Sequence, residues 1–125
     1  NVRRIVIRQA DRSVAEFPLT VGVVGTVAAP ILAAVGALAA LLTLCSAYLL
    51  HLSPTPAGDP VARFHLDNGA RLERLNAHGN MSAKGLKQSF GIMVNYLYDL
   101  DKIEASHEKF KQGEVARSRA VHTVM

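Results

Sequence analysis

Residues 59–76, DPVARFHLDNGARLERLN, carry the signals that decide the fold of the second half of the chain. Asp59-Pro60 predicts a helix start, because aspartate caps exposed amide groups and proline fits the first turn. The helix is predicted to end before Asn68-Gly69, since glycine tolerates a left-handed backbone. Leucines that alternate imperfectly with charged residues predict a strand over residues 70–76. This order of helix, tight turn and strand indicates an α/β unit.

The residues that follow are also predicted to alternate between helices and strands. A loop is predicted over residues 76–82 and a short helix over 83–90. Period-two spacing predicts a strand over residues 91–100 with one shared face, made of Ile92, Val94, Tyr96 and Tyr98. A helix is predicted over residues 101–112, and Gly113 ends it. The last dozen residues are basic and polar, and they predict a strand or a loose tail.

The chain before this unit divides into three segments. Residues 1–18 are polar, hold arginines at positions 3, 4, 8 and 12, and contain an Ile-Val-Ile run that suits either a strand or a helix start. Pro18 ends this segment. Residues 51–58 are rich in turn-forming residues and are interpreted as a linker, which makes Ser53 a linker serine.

Residues 19–50 hold no charged residue, and two interpretations of them stay open. About 20 apolar residues suffice to cross a bilayer as a helix, and the arginines before the run would place the N-terminus in the cytoplasm. The alternative is a segment buried in protein, with a strand near residues 21–27 and then a helix from about Ala29 to Leu50, because Pro30 would break or kink a helix. Composition alone slightly favours the membrane.

Composition excludes few classes of function. Half of the 125 residues are hydrophobic and the formal net charge is +4, so the chain is expected to fold and would suit an anionic partner. The basic residues do not cluster with aromatic residues, which argues against nucleic-acid binding. Cys45, the single cysteine, is interpreted as a small buried hydrophobe, and the other histidines, at positions 51, 78, 107 and 122, lack metal-ligand spacing. No metal site is therefore expected, and Asp67, Glu73 and Asp99 are interpreted as surface charges.

Several ordered motifs of the second half resemble malonyl-CoA decarboxylases. The block D-P-V-A-x-F-H-L-x-N-G-A matches residues 59–70, and a later S-x-x-G…S-x-G-x-M-x-N-Y-x-Y pattern is similar to residues 82–98. Upstream, Leu44 to Leu49 looks like the family's L-C-A-x-Y-L helix. The resemblance covers residues 44–114 and implies a fragment of a mixed α/β fold similar to GCN5-type acetyltransferases, with a long apolar helix before it. It also implies that the helix after about Ala40 packs in protein, which makes a membrane span the second choice.

The resemblance further implies a chemistry. Malonyl-CoA decarboxylases convert malonyl-CoA to acetyl-CoA and carbon dioxide with side chains alone, so no metal or organic cofactor is expected. His65 aligns with the family's catalytic histidine, and an imidazole can donate a proton near neutral pH. Tyr98 aligns with an active-site tyrosine, whose phenol can position a histidine. Tyr96 is interpreted as a strand tyrosine that packs its ring. The residues that would bind coenzyme A are not identified.

The chain also departs from the family pattern. The family's serine motif, T-L-S-P-I-P-G-F, is absent before the L-C-A-x-Y-L helix, and the similar Leu52-Ser53-Pro54-Thr55-Pro56 follows that helix, out of order. We therefore expect a truncated and diverged malonyl-CoA decarboxylase in the cytoplasm, and its activity as a separate chain stays open. An acyl-CoA ligand is the expected partner, with a second copy or a partner chain as a further option. The alternatives are a single-pass membrane protein with a soluble tail and a non-catalytic coenzyme A-binding module.

Overall fold

The computed structural model of the protein describes residues 4–9 and 12–124, which divide into two compact units. Residues 1–37 belong to the first unit and residues 38–125 to the second. A single helix, α1 (Leu19–Leu52), contributes to both. Each unit is described by itself below.

The first unit contains an antiparallel hairpin of β1 (Arg4–Gln9) and β2 (Arg12–Pro18), followed directly by α1. The Ile-Val-Ile run is therefore a strand, and Pro18 ends β2 as predicted. The strand predicted near residues 21–27 is wrong, because α1 already begins at Leu19 and runs through Pro30. A helix satisfies the backbone groups of an apolar run without a neighbouring strand, which outweighs the helix-weakening effect of its glycines.

The second unit alternates short helices and strands in the predicted order. Its elements after α1 are α2 (Pro60–Asp67), β3 (Arg71–Asn76), α3 (Ala83–Ser89), β4 (Met93–Leu97), α4 (Ile103–Lys111) and α5 (Arg119–His122). Strands β3 and β4 form an antiparallel pair in which Leu72 lies opposite Tyr96. The backbone of Gly69 is left-handed, with φ +87°, as the predicted end of the helix requires. The mixed α/β fold predicted from the sequence is confirmed, with helix dominating over strand.

The core of the second unit gathers buried apolar side chains from α1, α2, β3, α4 and the C-terminal segment. Leu49 and Leu50 come from the end of α1, and the other members are Ala62, Leu66, Leu72, Phe110, Val115 and Val121. Leu66 and Leu72 are exposed by 1% and 0%, so α2 and β3 are fixed against the end of α1. Burial of such side chains is the main stabilising contribution in a unit of this size.

The C-terminal residues were predicted as a strand or a loose tail, and they form a parallel bridge between Arg117 and Leu72 followed by a helical turn. The amide of Leu72 donates to the carbonyl of Ala116 at 2.8 Å, and the amide of Ser118 donates back to Leu72 at 2.9 Å. The chain then forms one helical turn, α5, which buries Val121 to 1% exposure. The helical turn was missed because four residues are too few to show a helical period, although the burial of Val121 fixes this turn beside β3.

Ser53 lies in the turn segment between α1 and α2. Helix α1 extends to Leu52, and Ser53 is fully buried directly after it, with no hydrogen-bond partner for its hydroxyl among the described residues. Gly58 lies so close that a Cβ there would be 2.4 Å from the carbonyl oxygen of Leu52. Residues 53–58 therefore fold back tightly on the end of α1.

Candidate active site

Helix α2 positions His65 through its cap and its buried face. The carboxylate of Asp59 accepts a hydrogen bond from the amide of Ala62 at 2.8 Å, which fixes the first turn as the sequence predicted. Ala62 and Leu66 are buried on the core side, and His65, between them in the sequence, is half-buried. The helix start and the apolar face thus set where the imidazole lies.

Tyr96 of β4 and Tyr98, the first residue after β4, both contact His65. Its Nδ1 atom lies 2.9 Å from the hydroxyl oxygen of Tyr98, although the two residues are 33 positions apart in the sequence. The Tyr96 ring stacks on the imidazole, with centroids 4.5 Å apart and planes inclined by 16°. The structure therefore brings together both residues predicted for the site, His65 and Tyr98, and adds Tyr96.

The sequence analysis assigned Tyr96 only a packing role. Tyr96 and Tyr98 point the same way from an extended backbone because they are two residues apart. That spacing, next to a strand end that pairs with β3, is the signal that could have placed both rings beside one histidine. Phe64 closes another side of the imidazole in an edge-to-face contact, with centroids 5.3 Å apart.

The contacts leave one nitrogen of the imidazole available. Among the described residues, the hydrogen bond of His65 is made by Nδ1, and Nε2 has no protein partner. When the Tyr98 hydroxyl donates to Nδ1, the neutral ring carries its proton on Nε2. The arrangement can then present an N–H group to a bound molecule while the ring is held in place by stacking.

Two titratable groups beside the site, the Tyr96 hydroxyl and the Cys45 thiol, have raised pKa values. Burial raises the pKa of Tyr96 to about 12, and the negative charge of Asp59 adds to that shift. Burial likewise raises the pKa of the Cys45 thiol, which is half-buried on α1. The structure thus supports the interpretation of Cys45 as a small apolar residue, since a raised pKa keeps the thiol protonated and unreactive.

An apolar cavity of about 460 Å³ adjoins the site through Tyr96. Residues from the end of α1, including Cys45 and Leu49, form one wall, and Val94 of β4 forms part of another. Asp59 also lines it. A cavity of this size is within the range of small-molecule sites in proteins, and its apolar lining suits the uncharged part of a ligand.

The three acidic residues interpreted as surface charges, Asp67, Glu73 and Asp99, each form an ion pair. Glu73 lies 2.6 Å from Arg71, and Asp99 lies 3.6 Å from Lys102, as expected for surface charges. Asp67 pairs with Lys111 at 3.0 Å, and its carbonyl contacts the imidazole of His107. Within residues 4–9 and 12–124, no three histidine, cysteine or acidic side chains gather in the geometry of a metal site.

The family model of the malonyl-CoA decarboxylase C-terminal domain matches residues 29–125. The chain belongs to the malonyl-CoA decarboxylase family. A second model, a domain of unknown function (DUF4342), matches residues 1–47. The two matches overlap within α1, so the two parts of the chain have different relatives.

Curated malonyl-CoA decarboxylases match half of the chain. The mitochondrial enzyme of Anser anser anser is 47% identical over 62 residues, which are 49% of this chain and 12% of that protein. The mitochondrial enzyme of Rattus norvegicus is 46% identical over 63 residues, or 50% and 13%. The chain thus spans about an eighth of these relatives.

Solved bacterial structures agree with this assignment. The malonyl-CoA decarboxylase of Cupriavidus metallidurans matches with a TM-score of 0.67 and 43% identity over 70% of this chain and 22% of that chain. The enzyme of Agrobacterium vitis matches with a TM-score of 0.61 and 53% identity, over 66% and 21%. The resemblance predicted from the motifs is confirmed, and the relatives are named as mitochondrial or come from bacteria.

Proposed function

We propose that the second unit of the chain acts on malonyl-CoA and releases acetyl-CoA and carbon dioxide. In this reaction the bond between the carboxylate carbon and Cα breaks, and its electron pair stays on the thioester as an enolate. A proton must then be added at Cα. His65 is proposed as the proton donor, and Tyr98 as the residue that positions it.

The contact between His65 and Tyr98 carries this proposal. The two residues come from separate family motifs, and their side chains meet at 2.9 Å. The Tyr98 hydroxyl donates to Nδ1 in the proposed arrangement, which keeps the proton on Nε2. Stacking on Tyr96 prevents rotation of the ring, so the proton can be delivered in a fixed direction.

The proposed ligand is an acyl-CoA, and no metal or organic cofactor takes part. The apolar cavity beside Tyr96 would accept the uncharged part of such a ligand. We propose a cytoplasmic location, where this substrate is available. A second copy of the chain or a partner chain would supply further contacts to the acyl-CoA, beyond those of the candidate site. The buried Ser53 is not proposed to replace the family's serine, because its hydroxyl is enclosed at 0% exposure.

Acetyl-CoA formation from malonyl-CoA by the purified chain tests the proposal. We expect His65→Ala to lower turnover at least about 100-fold, since a positioned proton donor contributes about 10²- to 10⁴-fold. Tyr98→Phe keeps the ring and removes the hydroxyl, and we expect a loss of about tenfold with KM nearly unchanged. The matched control is His51→Ala, an exposed histidine outside the site, which should leave turnover unchanged.

Two results would contradict the decarboxylase assignment. One is turnover that survives His65→Ala. The other is an inactive wild-type chain that still binds coenzyme A in calorimetry, which would indicate a non-catalytic acyl-CoA-binding module instead.

A further inference from the structure

The described side chains of α1 from Val23 to Ala40 form a long, largely exposed apolar surface. Between Glu16 and Asp59 the sequence holds no aspartate, glutamate, lysine or arginine. The large described side chains from position 23 to 35 are all exposed by more than half: Val23 54%, Val24 66%, Val27 65%, Ile31 61%, Leu32 70% and Val35 61%. By length and composition the described helix can cross a membrane, and none of its most apolar window is buried in protein.

The same helix behaves differently near its C-terminal end. Ser46, Leu49 and Leu50 are exposed by 5% or less, and the two leucines pack in the core of the second unit. Buried positions among the described residues of α1 begin only at Ser46. The C-terminal end of α1 is thus packed in protein, whereas its earlier apolar stretch is exposed. The exposed stretch needs an apolar environment from another source.

The free stretch lacks the one-sided pattern of a helix that packs on a protein surface. Such a helix shows a charged or polar face opposite its apolar stripe. Here Val23 and Leu32 lie about 180° apart around the axis, since nine positions at 100° each give 900°. Alanine and glycine make up most of the remaining surface. A helix that is apolar all round is typical of an apolar environment on every side.

We propose that residues 19–40 of α1 cross a lipid bilayer. These 22 residues would span about 33 Å at 1.5 Å per residue, and the hydrocarbon core of a bilayer is about 30 Å thick. Four arginines precede the helix at positions 3, 4, 8 and 12, where they would meet anionic headgroups. The proposal concerns a segment outside the candidate site, so the loss of decarboxylase activity in a variant of His65 would not overturn it.

Flotation with vesicles separates this proposal from its competitors. The full chain, purified in detergent, is reconstituted with phosphatidylcholine–phosphatidylglycerol vesicles, washed with alkaline carbonate and floated on a sucrose gradient. We expect the chain to float with the lipid, and we expect proteinase K to leave a protected fragment that contains residues 19–40. Aggregated protein would instead sediment to the bottom of the gradient.

A matched pair of lysine substitutions makes the test specific. Leu32→Lys places a charge in the middle of the span, which should shift the insertion equilibrium on the order of 100-fold toward the soluble fraction. Leu100→Lys adds the same charge at a leucine exposed by 83% in the second unit, and it should float like the wild type. Both positions are exposed, so neither substitution disturbs a packed core.

The proposal is overturned if carbonate extracts the wild type, or if Leu32→Lys floats as well as Leu100→Lys. It is also overturned if the wild type is soluble without detergent and forms an oligomer that Leu32→Lys dissociates. That last result would assign the apolar surface to a second copy of the chain.

Discussion

Alanine substitutions at Gly69 and Gly113 provide a matched test of how α2 meets α4. Both glycines have left-handed backbones, with φ +87° and +84°, so an alanine at either site has the same conformational cost. That cost is about 1–2 kcal/mol. The two sites differ only in the space that a new Cβ would meet.

The space is closed at Gly69 and open at Gly113. A Cβ at Gly69 would lie 2.5 Å from the carbonyl oxygen of Ile103 and 2.7 Å from its side chain, whereas a Cβ at Gly113 meets nothing within 4 Å. Ile103 is the first residue of α4, so relief of the clash requires movement of a backbone. Overpacking of this kind costs about 1–3 kcal/mol. We therefore expect Gly113→Ala to lower the free energy of unfolding by about 1.5 kcal/mol and Gly69→Ala by about 3.5 kcal/mol.

Urea unfolding followed by tyrosine fluorescence measures this difference. The chain has three tyrosines and no tryptophan, and all three tyrosines, at positions 48, 96 and 98, belong to the second unit, so the signal reports on that unit. Equal unfolding midpoints for the two variants would refute the proposed contact between the turn after α2 and the start of α4. A larger loss for Gly113→Ala would refute it as well.

Four further measurements test other parts of the second unit. Val121→Ala should lower the free energy of unfolding by about 2 kcal/mol because Val121 is buried. Val61→Ala, at an exposed valine, should change it by less than about 0.5 kcal/mol. Equal losses for the two variants would contradict the packing of the C-terminal segment on the core. Ser53→Ala should stabilise the unit by up to about 1 kcal/mol in thermal unfolding, since it removes a buried hydroxyl without a partner, and a loss would contradict its enclosure. Asp59→Ala should cost about 1 kcal/mol in urea unfolding through the lost cap of α2, and an unchanged midpoint would show that the cap does not contribute. Burial raises the folded-state pKa of Tyr96 to about 12, so the folded unit holds a proton that the unfolded chain releases near pH 10. The free energy of unfolding of the wild type should therefore fall by about 1–2 kcal/mol between pH 10 and 12, after a discount for partial exposure. Tyr96→Phe should lose less over the same range.

Local signals in the sequence were sufficient for most elements of the second unit. The Asp59-Pro60 start and the Asn68-Gly69 end act within one or two turns of helix, so the residues themselves specify α2. The strand β4 and the helix α4 follow from their periodicity in the same way. The helical turn α5, which was not predicted, depends on distant contacts. The C-terminal segment is fixed by hydrogen bonds to Leu72, and no property of residues 114–124 alone announces a partner more than 40 positions away.

The candidate site also combines features that the sequence specifies with features that depend on distant contacts. His65 and Tyr98 were identified through family motifs, but no motif states that their side chains touch. Their contact depends on the pairing of β4 with β3, which carries the end of β4 to α2. The stacking of Tyr96 on the imidazole is a further consequence of that pairing. Sequence could therefore supply the chemical groups, while the three-dimensional arrangement supplied the contact between Nδ1 of His65 and the Tyr98 hydroxyl, which leaves Nε2 for the proposed proton transfer.

Membrane insertion and decarboxylation constrain each other through the side of the bilayer on which the second unit lies. Four arginines precede the span, and the first two basic residues after it, Arg63 and Arg71, are more distant. Because the more basic flank stays in the cytoplasm, this bias would place the second unit on the opposite face. A site that uses cytoplasmic malonyl-CoA requires the reverse orientation. Proteinase K added outside right-side-out vesicles from expressing cells decides between them: protection of the second unit agrees with both proposals, and its cleavage would keep the span but contradict decarboxylation in the cytoplasm.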